Sequence, residues 1–386
     1  GVDLEIRKAE KNLKEAKKSI KKQKITTKSP PPVYEKKDYM LKIIPLRKNE
    51  LKNSYSLKYP AWRELMSLRW TNQLIKKNIC PNFNLLYNFY ALKECSYFFR
   101  QKKTYGCLFL FLEKADGNLY DLLEIFAKQK LSIDANLWKS ILFQIFAAIY
   151  SIQHNYNLIH RDLHWRNITY WKVQSKGYWR YYIKKIPYYV PCLGYRIALI
   201  DFGKSMRRQD AFLSNDNKQY TKESKHIFIQ GNDEKWRDWY LYQSEQLIQD
   251  LLRISHLPRW IDDENFPPNI MPISIKNLLD QIKNNWTVKK HYLPSEIIML
   301  SMKEYLDPRI GVPYHGKLSN NDKHFRPGKF AVFKGCLAMI AVKYGTLCKI
   351  IISGGETREV KSSKLSFPEI VPKSPIANII GSYYLD

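Results

Sequence analysis

His160-Arg161-Asp162-Leu163-His164-Trp165-Arg166-Asn167 is a polar loop set directly behind a short apolar run, Asn157-Leu158-Ile159. The same arrangement recurs downstream, where Ile197-Ala198-Leu199-Ile200 leads into Asp201-Phe202-Gly203. Short apolar runs that stop at a polar loop read as buried strands delivering that loop to a cleft. Two such units in this order carry Asp162, Asn167 and Asp201.

Those residue types suit phosphoryl transfer, in which the protein positions a hydroxyl, holds a divalent cation on the phosphates and neutralises charge. Asp162 would accept or orient the hydroxyl proton. Asn167, five residues on, can turn back from the same loop to a metal ion, and Asp201 would be the second and stronger metal ligand. Both aspartates must be ionised for these roles, so activity is expected to fall in acid.

Outward from this centre the chain changes character. Upstream, Tyr39 to Leu46 (YMLKIIPL) reads as a strand and Pro60 to Ile75 as a helix with proline at its start. Asn78 to Tyr90 returns to extended structure, and Cys107 to Leu112 (CLFLFL) is an apolar strand that Glu113 to Gly117 ends as a linker. Past the linker helical spacing dominates, over Leu119 to Phe126, Ala135 to Asn155, Trp236 to Ile254, Ser274 to Trp286 and Pro294 to Tyr305. Tyr170 to Ala198 is an aromatic, β-prone insertion between the two polar loops. From Gly328 to Leu365, short apolar runs alternate with turns at Lys334-Gly335, Tyr344-Gly345 and Gly354-Gly355, which predicts a small β-barrel or meander. At the other end, Ile6, Ala9, Leu13, Ala16 and Ile20 recur at alternating three- and four-residue steps among lysines, a basic amphipathic helix that the Thr26 to Pro32 segment breaks.

Composition bounds the rest. With 386 residues, 45% apolar and 14% aromatic, the chain can bury a large core, which excludes a wholly disordered protein. The net charge of +28 favours polyanionic partners such as nucleic acid, an acidic protein or an anionic membrane, and is equally the signature of a lysine-rich solvated surface. Cys80, Cys95, Cys107, Cys192, Cys336 and Cys348 contain no CxxC pair, so neither a zinc site nor a disulfide framework is expected, and all six read as reduced core thiols. No signal peptide is visible, and Lys334, Lys343 and Lys349 interrupt the most apolar stretch, Phe330 to Ile352. No transmembrane segment is therefore expected, and the expected compartment is intracellular.

From about residue 29 to 310 the chain resembles the eukaryotic-type protein kinase superfamily, through His160-Arg161-Asp162 to Asn167 and Asp201-Phe202-Gly203. Asp162-Leu163-His164-Trp165 resembles the loop of haspin-like kinases, and the Lys, Asn, Ile and Tyr bias resembles the serine/threonine kinases of large nucleocytoplasmic DNA viruses. The resemblance implies an α+β, bilobal protein-kinase-like fold: an N-lobe and hinge over 29–115, an α-helical C-lobe over 116–315 and a small β-rich extension over 316–386. The helix within 1–28 would then be an insertion in the N-lobe. It implies ATP and Mg²⁺ as cofactors and serine/threonine hydroxyls of a protein substrate as acceptor. For a viral chain it implies the host cytoplasm or the virion, including a place as a component of the particle.

Residue by residue, the resemblance makes Lys42 the strand lysine that holds the α- and β-phosphates and Glu64 its helix partner. It makes Glu113 to Leu119 the hinge whose backbone holds adenine, and His160 a packing residue, not a base. Asp162, Lys42 and Arg166 are then the catalytic set; Lys42, Glu64, Glu113, Asn167 and Asp201 hold nucleotide, with Asn167 and Asp201 on the metal.

The pattern also departs from the family. Gly1 is the only glycine upstream of Lys42, so a glycine-rich phosphate loop is either absent or closes where this chain begins, which would place the true N terminus outside it. His164 stands two residues after Asp162, where serine/threonine kinases keep a phosphate-contacting lysine, and Arg166 stands four after it, as in tyrosine kinases. Arg166 or Lys204 is left to supply the missing cation. No Ala-Pro-Glu-type end to the activation segment follows Gly203, and Asp238 is a candidate brace for the catalytic loop. Two alternatives stay open beside an active protein kinase: a catalytically weak pseudokinase or virion structural protein, and a small-molecule kinase of the same fold.

Overall fold

The computed structural model describes residues 38–93, 95, 104–174, 176–207, 271–287, 297–298, 301–319 and 325–386. The expected helices near 4–24 and 236–254, the proline run and Asp238 lie outside the described residues. Three antiparallel strands, β1 (Tyr39–Leu46), β2 (Leu86–Lys93) and β3 (Gly106–Glu113), form a sheet in the order β1-β3-β2. β3 is central and buried along almost its whole length, which is why it reads as a continuous apolar run instead of an alternating one. A short helix, α1 (Lys48–Lys52), leads to α2 (Pro60–Lys76), where proline fills the first turn. The indole of Trp62 is buried and donates to the Glu50 carbonyl at 2.8 Å, locking the entry to α2.

After β3 come β4 (Gly117–Asn118), α3 (Leu119–Lys128) and α4 (Ala135–Tyr156). Asn118 and Asp121 cap α3 reciprocally: the Asp121 amide donates to the Asn118 side chain at 3.1 Å and the Asn118 amide to Asp121 Oδ2 at 2.8 Å. α4 ends on Asn157, whose φ of 49° is the left-handed conformation that asparagine tolerates. Its composition is that of a helix long and apolar enough to cross a membrane, but 78% of that apolar window is buried inside the protein, as in a core helix. α5 (Ile273–Thr287) sends Ile275, Leu279 and Ile282 into the same core. Of the expected helix 294–305, the described part ends in a single 3₁₀ turn, Lys303–Tyr305.

The aromatic insertion is a set of strands. β5 (Leu158–Ile159) precedes the catalytic loop, and β6 (Ile168–Lys172) and β9 (Tyr195–Leu199) pair with β4 in the order β4-β6-β9. Between them β7 (Tyr178–Ile183) and β8 (Ile186–Pro191) form a hairpin over Lys184-Lys185, both at positive φ, the arrangement of a tight two-residue turn. β10 (Met206–Arg207), after Asp201-Phe202-Gly203, pairs with β5.

The tail returns to this insertion. β11 (Leu318–Ser319), β12 (Phe330–Phe333), β13 (Cys336–Tyr344), β14 (Leu347–Ile351), β15 (Thr357–Lys361) and β16 (Phe367–Pro368) include a meander in the order β12-β13-β14-β15. β16 closes onto β11, and its neighbour Ser366 bridges Val332 of β12. One face of this meander has its own core, Ala331, Ala338, Ile340, Cys348 and Ile350. The other face contributes Leu337, Met339 and Ile351 to the main core. β17 (Ile379–Tyr384) then joins β7 in parallel, with Tyr384 stacked on Tyr182 at 4.4 Å and Leu385 fully buried.

The cysteine expectation needs correcting. Cys95 and Cys107 form a disulfide, with Cα atoms 5.9 Å apart, where Leu92 of β2 faces Cys107 of β3. Sequence spacing hides it, because the pair is brought together by strand register and not by a CxxC turn. Cys80, Cys192 and Cys348 are free and buried, as expected.

Candidate active site

Lys42 lies mid-strand in β1, opposite Leu110 of β3, and its ammonium lies beneath α2. Its Nζ is 2.6 Å from Glu64 Oε1 and 3.1 Å from Asp201 Oδ1. Glu64 reaches it because it sits on the buried face of α2 beside Leu65 and Leu68, and its side chain is only 6% exposed. Burial works to lower the Lys42 pKa, but the carboxylates of Glu64 and Asp201 outweigh it and the net direction is up. Lys42 therefore stays charged, the form that binds phosphate. Burial would raise Asp201 as well, yet Lys42 and the Gly203 amide bring it below the usual carboxylate range, keeping it ionised.

Asp201 itself occupies a left-handed conformation, φ 63° and ψ 72°, costly for a residue with a Cβ. Three contacts hold it there. Phe202 is fully buried between His160, at 4.8 Å, and Phe83, at 6.3 Å between ring centres. Ser205 and Ser67 of α2 share a buried hydrogen bond of 2.8 Å, and β10 pairs with β5. α2 and the Asp201 turn are thus fixed to each other.

The catalytic loop is organised from within. His160 Nε2 meets the Ile200 carbonyl at 2.7 Å, and burial pushes this imidazole's pKa down to about 4. It is a neutral packing group, as the family resemblance implies. Asn167 donates its Nδ2 to the Asp162 carbonyl at 2.8 Å, and its own carbonyl accepts from the Ile200 amide at 3.0 Å. That first bond fixes which way the amide points and turns Oδ1 outward as an acceptor. Asp162 Oδ1 receives Lys204 Nζ at 2.9 Å.

The donor set fits Mg²⁺, which takes one or two carboxylates and completes its shell with substrate phosphates and water. Asp201 spends Oδ1 on Lys42 and on the Gly203 amide, so Oδ2 and the Asn167 Oδ1 are the oxygens left for a metal. Among the described residues no cluster of three or more His, Cys, Asp or Glu could hold a metal alone.

Two candidates sit differently from the rest. Arg166 does not reach Asp162: its guanidinium lies 5.1 Å from the centre of the Tyr120 ring on α3, and Trp165 packs edge-on against the same ring. Glu113 spends its side chain on Arg196 at 2.7 Å, and Arg196 stacks over Trp171 at 4.1 Å. The Glu113 amide donates to Leu85 and its carbonyl accepts from Asn84. In the segment that follows, the Trp171 indole donates to the Lys114 carbonyl and the Asp116 amide to the Tyr170 carbonyl. Among the described residues the Ala115 backbone makes no hydrogen bond within the protein, which apolar patterning has no means of signalling. Asn82 is the other missed residue. It is fully buried and donates to Gln144 at 3.1 Å and the Ile197 carbonyl at 2.7 Å, tying α4 to the strand that leads to Asp201.

A lysine–glutamate pair, an aspartate held against that lysine and an Asp/Asn loop in this geometry define the class, a kinase domain. The chain belongs to the haspin-like kinase domain family, whose model matches residues 4–308. It is 31% identical over 165 residues, 40% of this chain and 29% of the relative, to a protein of Invertebrate iridescent virus 6 named probable serine/threonine-protein kinase 380R. It is 25% identical, over 68% of this chain and 43% of the relative, to uncharacterized protein R403 of Acanthamoeba polyphaga mimivirus. A third match is uncharacterized protein 011L of Invertebrate iridescent virus 3, at 26% identity over 34% of this chain and 18% of the relative. The chain spans less than half the length of these relatives. Membership of a kinase family implies use of ATP.

Proposed function

We propose that this chain is a viral, ATP- and Mg²⁺-dependent protein kinase that transfers the γ-phosphate to serine/threonine hydroxyls of a protein substrate. The observation that carries the reading is the convergence of Lys42, Glu64 and Asp201 within 3.1 Å, since a kinase needs both the lysine–glutamate pair and the metal aspartate in place at once. In this reading the arrangement is bilobal. Residues 29–115 form the N-lobe and hinge, 116–315 the C-lobe and 316–386 an extension, and the nucleotide lies between the lobes against the Ala115 backbone.

Lys42 binds the α- and β-phosphates, while Asp201 and Asn167 hold the metal, whose charge offsets that of the phosphates. Asp162 orients the acceptor hydroxyl and takes its proton. The hydroxyl oxygen bonds to the γ-phosphorus as the bond to the β-bridging oxygen breaks, and that oxygen leaves with the electron pair on ADP.

The test is phosphate transfer from radiolabelled Mg²⁺-ATP to generic basic and acidic proteins by wild type, Asp162→Asn and Asp201→Ala. Wild type should label serine or threonine, with a loss of about 10²-fold or more in each variant. Equal, background-level labelling by all three would overturn the enzyme reading. Labelling of small alcohols alone would overturn the protein-acceptor part.

A further inference from the structure

Four cationic side chains surround the catalytic loop, and three are committed elsewhere. Lys42 is held by Glu64 and Asp201, Arg161 turns an Nη to the Met206 sulfur at 3.6 Å, and Arg166 lies on Tyr120. Lys204 is the cation that touches Asp162, at 2.9 Å, and among the described residues it is the only one that does.

The backbone carrying it is fixed. Lys204 closes the 3₁₀ turn Phe202–Lys204, whose ends are held by buried Phe202 and by the Ser205–Ser67 hydrogen bond. Its side chain is 62% exposed at the cleft, and so open an ion pair contributes little to stability. A placement that stabilises little invites a role in chemistry. An ammonium has three donors, and Asp162 takes one.

We propose that Lys204 is the catalytic cation that grips the γ-phosphate beside Asp162, in place of the lysine that His164 displaces from the loop. This deepens the kinase reading and rests on it. Lys204 shares one donor with Asp162 and turns the other two to γ-phosphate oxygens. It so aligns the phosphorus with the hydroxyl that Asp162 deprotonates, and it offsets the charge spread over the equatorial oxygens during transfer.

The experiment uses the whole chain as wild type, Lys204→Ala and Lys204→Arg. Titration calorimetry gives the affinities for Mg²⁺-ATP and Mg²⁺-ADP, and labelling gives turnover. Lys204→Ala should keep its ADP affinity within about 2-fold and lose about 10-fold in ATP affinity relative to ADP, the worth of a charge-assisted contact. Its turnover should fall about 10²-fold or more, and Lys204→Arg should recover most of the ATP-over-ADP preference. An unchanged ATP-to-ADP ratio in Lys204→Ala, or a rise in turnover indicating a blocking role, overturns the assignment. Wild type that transfers nothing, yet prefers ATP through Lys204, would sink the kinase reading and the catalytic role with it, leaving only the γ-phosphate contact. Normal transfer by Lys204→Ala would overturn the assignment and leave the kinase reading standing.

Discussion

Replacing Lys42 by methionine keeps the aliphatic stem against β3 and deletes only the ammonium. Glu64, 6% exposed and 2.6 Å from that ammonium, is then a buried carboxylate without its partner. Stranding one member of a fully buried pair costs about 3–5 kcal/mol, and because Lys42 is 32% exposed, water can reach the gap, so about 2–4 kcal/mol is expected here. At this chain length that is a fall in melting temperature of roughly 2–5 °C. The cost must depend on pH. Burial already pushes the Glu64 pKa up, against the pull of Lys42, and loss of Lys42 raises it further. A carboxyl whose folded pKa lies above its unfolded value favours the folded state at low pH and loses that contribution as pH rises through the folded pKa. The deficit of Lys42→Met against wild type should therefore be largest at pH 8 and shrink toward pH 5. Lys42→Met/Glu64→Leu, with no charge to strand, should regain most of the stability while remaining unable to transfer phosphate. Differential scanning calorimetry across this range is the assay. A deficit independent of pH, or a double variant no more stable than the single, would refute the reasoning.

The buried neutral His160 predicts a second pH effect. Its pKa is about 4 in the folded protein against 6.5 for a free imidazole, so below 6.5 the unfolded chain takes up a proton that the folded one refuses. Stability should fall by about 3 kcal/mol as pH drops from 6.5 to 4, and His160→Phe should remove that part of the fall in chemical denaturation. Leu385, fully buried beyond β17, should cost about 2–5 kcal/mol as Leu385→Ala by urea unfolding, and a loss under about 0.5 kcal/mol would mean the tail does not pack on the insertion in solution.

What the sequence makes legible here is what repeats locally. The β1 strand, α2 from Pro60 and the long α4 are each written in a window of a few turns, and each lies within a residue or two of its expected bounds. The turns of the C-terminal meander are legible for a related reason: Gly335, Gly345, Gly354 and Gly355 all take positive φ, where glycine is the cheapest residue. The contacts that complete the site join residues far apart in the chain, and no local pattern encodes them. Lys204 meets Asp162 across 42 residues, and β17 pairs with β7 across some two hundred. Side-chain direction is equally hidden. Arg166, in the expected catalytic set, and Lys204 both read as sources of the missing cation, and only the folded structure turns Arg166 to Tyr120 and Lys204 to Asp162.

Asn82 shows how those distant pieces come to bear on Asp201. Its side chain accepts from the Tyr181 hydroxyl at 2.9 Å and donates to Gln144 and to the Ile197 carbonyl, while its own carbonyl receives the Leu199 amide at 3.1 Å. One buried residue thereby joins α4, the insertion hairpin and β9, and Phe83 beside it touches Phe202. Leucine would fill the space more cheaply but would fit any register of β9, because apolar contact carries no direction. Here a one-residue slip would turn Ile197 and Leu199 out of the core and carry Asp201 away from Lys42. A satisfied polar group at that point rejects the slip, since the shifted strand would orphan buried donors and acceptors at about 1–3 kcal/mol each. The strand that delivers Asp201 is therefore aligned by hydrogen bonds, with the hydrophobic core supplying stability. β17 extends that alignment: its Tyr383 packs 5.4 Å from Tyr181, so the C-terminal strand braces the hydroxyl on which Asn82 depends.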